Sequence, residues 1–188
     1  MSKIYGKKEC FTLVRKDASR TIISYGYKEE KDNINATWHE VYFYKKKNGK
    51  VTLKMVKEAI YEDINKQTDK KILSGFSWTP ENGSAINVWL SDENQRNFSE
   101  AERIAESMPQ AILPVTFKLG ENKDGEPVYY QFTTSAELTG FYLQAVGYIN
   151  QCLGEGWLRK DNIDWQSYQE ALKEIFDKES IPFGGGAQ

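Results

Sequence analysis

The sequence predicts an α+β protein. An antiparallel sheet from two β-hairpin–helix units lies at its centre, with covering helices, a small N-terminal β meander and a C-terminal helix. Three observations predict this class. β-Branched and aromatic residues gather in short runs over the first fifty positions. A strand–turn–strand–helix pattern occurs twice, with Gly83 and Gly125, Leu90 and Phe132, and Ser91 and Thr133 each 42 positions apart. Longer segments repeat apolar residues at three- and four-residue steps, the period of a helix with one buried face. Side-chain identity between the two copies is weak, so the 42-residue spacing argues for recurrent topology rather than a sequence repeat.

Taken in order, Cys10–Val14 reads as a short strand stopped by the polar turn Lys16–Ser19. Thr21–Tyr27 is a second strand and Trp38–Tyr44 a third; Val41 and Phe43 point one way, and Trp38, Tyr42 and Tyr44 the other. Lys47–Lys50 punctuates the chain. Thr52 is an N-cap for a helix with Leu53, Val56, Ile60 and Ile64 on its apolar stripe. Ile72–Trp78 and Ile86–Leu90 form a hairpin around the turn Pro80–Gly83, and Ser91 caps a helix running to about Met108. The second copy pairs Val115–Leu119 with Val128–Phe132 around Asn122–Gly125. Thr133 or Thr134 then caps a long helix with Leu138, Phe141, Ala145, Ile149 and Cys152 on one side. A break is expected at Gly154-Glu155-Gly156-Trp157, followed by an Asp164-capped helix carrying Trp165, Tyr168, Leu172 and Phe176, and a flexible glycine-rich tail from Ile181. This gives an N-terminal β module (1–50), a central α+β domain (51–158) and a C-terminal helix with its tail (159–188).

Composition narrows the function. Lys plus Arg number 25 against 27 Asp plus Glu, a net charge of −2. A nucleic-acid binder needs a basic face, because phosphate neutralisation supplies most of its affinity. Lys45-Lys46-Lys47 at a turn reads instead as a solubilising tip. No apolar run approaches the ~20 residues of a membrane span, and Met1–Lys7 has no signal-peptide core. The expectation is therefore no nucleic acid and no membrane, and the N-x-S/T triplets at Asn35, Asn82 and Asn97 are chance matches. Cys10 and Cys152 are far apart and His39 is the sole histidine, so no cofactor, metal or catalytic residue is assigned. The carboxylates Asp92, Glu93, Glu100, Glu102 and Glu106 fall at helix starts or on solvated helix faces.

Several stretches carry a resemblance. They are Val56-Lys57-Glu58-Ala59-Ile60 with Asp63-Ile64-Asn65, Thr68 through Trp78, Val88 through Gln95, Leu113 through Lys118, and the Gly154–Trp157 corner. Over Val51 to Asp164 the chain resembles a domain-of-unknown-function family of phage and prophage proteins, often encoded beside tail-fibre genes; it departs from the pattern at Pro80–Ala85. That family has no established catalytic residues, so the resemblance implies none here. It implies a virion or tail-associated role, with the host cytoplasm as the site of assembly.

The expected function is a non-enzymatic structural or attachment protein acting through contacts with other virion or tail proteins. A tail-fibre assembly chaperone is one alternative; a module binding a host surface glycan through exposed aromatics is another. Trp38, Tyr42, Tyr44, Trp165, Tyr168 and Phe183 are the candidate interface residues, because Trp and Tyr dominate interface affinity and Trp38–Tyr44 is aromatic on both faces.

Overall fold

A computed structural model describes residues 2–44, 50–81 and 83–177. The Lys45–Lys47 tip, Asn82, the glycine-rich tail and Phe183 lie outside the described residues. The element order is β1 (Ser2–Lys7), β2 (Val14–Lys16), β3 (Arg20–Glu29), β4 (Asn35–Tyr44), α1 (Leu53–Leu73), β5 (Phe76–Trp78), β6 (Ile86–Val88), α2 (Asp92–Ser107), α3 (Pro109–Ile112), β7 (Val115–Glu121), β8 (Pro127–Phe132), α4 (Ser135–Asp161) and α5 (Trp165–Asp177). The protein is α+β, as its residue patterns predict. Its contacts divide it into two compact units, Met1–Asn65 with Leu158–Gln188, and Lys66–Trp157. This grouping differs from three consecutive segments, because the first half of α1 and all of α5 join the N-terminal strands.

In the first unit β1–β4–β3–β2 form one antiparallel sheet. Asp17 sets the β2–β3 turn by accepting the Ser19 and Arg20 amides at 2.8 and 2.9 Å. β1 was not legible in the sequence, and Cys10–Val14 is not a strand; residues 8–10 form a 3-10 turn and pairing starts at Val14. One sheet face sets Val14, Ile23, Tyr25 and Val41 against Val56, Ile60 and Ile64 of α1 and Tyr168, Leu172 and Phe176 of α5. Thr52 Oγ1 caps α1 by accepting the Met55 amide, and Asp164 caps α5 by accepting the Gln166 and Ser167 amides.

The second unit contains the two hairpins, and here the expected central sheet is corrected. β5–β6 and β7–β8 form separate two-stranded ladders. A backbone bond from the Trp89 amide to the Leu119 carbonyl, 2.7 Å, links them. β5 and β6 pair over only three residues each, and β7 is irregular between Lys118 and Gly120, so no longer ladder runs across the seam. The four-stranded sheet is the N-terminal one. Ile72 and Leu73 belong to the end of α1 rather than to β5. Gly75, at φ +82°, turns the chain there, and a Cβ at that position would fall 1.9 Å from the Val88 carbonyl oxygen.

α4 also departs from expectation, continuing through Gly154–Trp157 to Asp161. The reason is packing. A Cβ at Gly156 would lie 2.7 Å from Thr68 Oγ1, so the glycine lets α4 approach α1 closely where propensity alone predicts a break. The unit's core is dominated by aromatics: Phe141 lies 4.9–6.2 Å, centroid to centroid, from Phe76, Trp78, Phe98 and Phe132.

Candidate functional site

The candidate interface residues have different fates. Trp38 is buried on the sheet face opposite the helices, and its indole Nε1 donates to Glu40 Oε1 at 3.0 Å. Tyr42, half-buried, donates its hydroxyl to Glu40 Oε2 at 2.8 Å, and Arg15 donates to Glu40 Oε1 at 2.9 Å. Three donors thus satisfy a carboxylate that is itself buried. This arrangement explains why the strand is aromatic on both faces: one aromatic set packs on helices, and the other covers Glu40. Tyr168 is buried, and its hydroxyl donates to the Ser24 carbonyl at 2.7 Å. Burial pushes that phenol's pKa far up. Trp165 is half-buried, edge-on to Tyr61 at 5.6 Å. Tyr44 remains 70% exposed. Trp38 and Tyr168, two of the candidate interface residues, are thus buried, each with a polar atom whose partner lies within its own unit.

His39 stacks on Tyr25 at 5.3 Å, and the Tyr25 hydroxyl donates to the buried Asp63 carboxylate at 2.6 Å. Burial, and then the positive charge of Arg159, holds the imidazole below its usual pKa.

The outer face of α4 was not singled out from the sequence. Leu143 and Trp157 are exposed at 62% and 58%. Gly140, Gly147 and Gly154 recur every seventh residue, and a Cβ at any of them would meet nothing within 4 Å. No charged residue occurs between Glu137 and Glu155. The legible signal was the glycine spacing together with a helix apolar on more than one side.

A cleft of about 540 Å³ opens beside the start of α4. Trp78, Glu81, Tyr130, Thr133, Thr134, Glu137, Gly140 and Gln144 are among its lining residues. The Tyr130 hydroxyl donates to Glu137, and its pKa is pushed up to about 12, first by that bond and also by burial and the charges of Glu137 and Glu81. A second cleft, of about 460 Å³, lies in the first unit between Phe11, Tyr25 and Tyr27 and the α4–α5 junction. No group of three or more His, Cys, Asp or Glu side chains among the described residues is arranged to hold a metal ion. No helix among them is long and apolar enough to cross a membrane. Comparison with protein-family models, with curated proteins and with solved structures found no match.

Proposed function

We propose that this chain is a non-catalytic, phage tail-associated structural or attachment protein that works through protein–protein contacts. The phage setting rests on the resemblance carried by residues between Val51 and Asp164. The contact mode rests on one observation, the outer face of α4. A glycine inside a helix costs about 0.5–1 kcal/mol relative to alanine, and nothing within the second unit crowds the Cβ positions of Gly140, Gly147 or Gly154. A neighbouring backbone lying close against the helix would account for all three. Exposed Leu143 and Trp157, each three residues after one of these glycines, supply apolar area along one side of that line, and the uncharged surface lowers the desolvation cost of covering it.

Mass spectrometry of purified particles and light scattering of the full chain test this reading. The expected results are a chain present in particles and a complex larger than the monomer. Gly147→Arg should reduce that complex toward monomer without lowering the unfolding free energy of the monomer, and should raise it by about 0.5–1 kcal/mol because a helix glycine is removed from an open position. A chain that stays monomeric when concentrated and is missing from particles overturns the proposal. Absence from particles with association intact moves it to an assembly chaperone. The glycan alternative loses one of its expected stacking surfaces, since Trp38 is buried against its own sheet.

A further inference from the structure

We infer that the free edge of β8 is a contact between two copies of this chain, with Tyr129–Gln131 of each copy pairing antiparallel about a two-fold axis at Tyr130. The inference stands apart from the α4 contact face and from the tail-associated role. β7 is flanked on both sides, by β8 and by the Trp89 amide on the Leu119 carbonyl. Among the described residues β8 pairs with β7 alone. At the hairpin turn the Asn122 amide donates to the Glu126 carbonyl, which sets the phase of the ladder. Every residue of β8 from Pro127 to Phe132 then has a β7 partner, the irregularity lying on the β7 side. Alternation along an antiparallel strand therefore turns the backbone groups of Val128, Tyr130 and Phe132 toward β7, and those of Tyr129 and Gln131 away from it. The free edge ends at Thr133, whose amide donates to Glu137.

The outer strands differ in how their edges are protected. β1 carries Lys3 and Lys7, and β2 carries Arg15 and Lys16. β5 is only three residues long. Charge and short length keep strand edges from pairing with other chains. β8 has six residues and no charge, and Pro127 alone interrupts its row of backbone donors. Its composition is aromatic and β-branched, and Tyr129 is 64% exposed. A second copy matches this edge without conflict. Pairing about Tyr130 places Tyr129 opposite Gln131 of the other copy, twice, and Tyr130 opposite its own counterpart. Only residues with both an N–H and a C=O facing outward then make backbone bonds, and no like charges meet. So short a ladder covers far less than the ~1,600 Å² of a standard interface. The contact is therefore concentration-dependent, and strengthens where copies are already held side by side.

Amide hydrogen exchange and light scattering of the full chain, from micromolar to millimolar concentration, test the inference. Both are read in wild type and in Gly147→Arg, which removes the α4 contact. In both chains exchange at Tyr129 and Gln131 should slow as concentration rises, because those amides gain acceptors only from a second copy. Tyr129→Glu combined with Gln131→Glu should weaken this association about tenfold, since like charges then oppose each other twice across the axis. Both positions are exposed, and residue 129 lies across from Lys118 on β7, so the hairpin itself tolerates the change. Tyr129→Glu combined with Gln131→Lys sets opposite charges at the same positions, and should restore association to about the wild-type level. Exchange at Tyr129 and Gln131 that does not depend on concentration overturns the inference, whatever the α4 face does. So does equal association by the two double variants, which rules out the Tyr130-centred pairing.

Discussion

The two units bury different things. Among the described residues the first unit holds five of the six buried polar side chains, Thr21, Ser24, Thr37, Glu40 and Asp63; the second holds Thr68 alone. The second unit instead stacks Phe76, Trp78, Phe98, Phe132 and Phe141 into one aromatic cluster. The comparison shows two ways of defining a packed β structure. In the sheet unit, Glu40 on β4 and Asp63 on α1 accept bonds from specific strand residues, so a slipped register would strand buried donors. In the hairpin unit the ladders are short, and ring packing against α2 and α4 carries the specificity.

Three changes would break or sharpen this contrast. The largest effect is expected from Phe141→Ala, which empties the centre of the aromatic cluster and should cost about 3–5 kcal/mol in urea unfolding. Hydrogen exchange should accelerate first in residues 66–157; an equal loss of protection in the sheet would show that the units do not respond separately. Next is Glu40→Ala, which leaves the buried Trp38 indole N–H without its acceptor and should cost about 1–3 kcal/mol, confined to the sheet. A change below ~0.5 kcal/mol in the same unfolding measurement would mean that water replaces the carboxylate.

The smallest effect is pH dependence. His39 has a folded pKa below its unfolded value of about 6.5, so the unfolded chain binds the extra proton. Stability due to neutral His39 is present above about pH 6.5 and is lost as pH falls through the folded value. Exchange of sheet amides should therefore speed up, relative to those of the hairpin unit and after correction for intrinsic rates, as pH falls below about 6.5. His39→Phe should remove that difference. Alkali gives no such discrimination, because both units contain a phenol with a raised pKa, Tyr168 and Tyr130. Each contributes stability that is present below about pH 10 and lost as pH rises through its folded value.

Much of the local structure was legible because local chemistry sets it. Thr52, Ser91, Thr134 and Asp164 cap helices as their sequence positions require. Asn122 accepts the Asp124 and Glu126 amides, and Gly125 takes φ +81° at the second hairpin turn. The candidate site was less legible. Trp38 and Tyr42 read as contact aromatics because sequence does not reveal that Glu40 between them is buried and needs donors. Glu81 and Glu137 are 56 positions apart, and only the fold brings them to one cleft.

The sequence by itself determined the α+β class, the two hairpin–helix units and most helix starts, since each depends on neighbours within a few residues. Tertiary structure alone decided that β1 pairs with β4, that the hairpins form separate ladders, and that α4 runs unbroken past Gly156. Those outcomes depend on contacts between distant segments, such as Thr68 against Gly156 and the Trp89 amide on Leu119, whose free energy overrides local propensity.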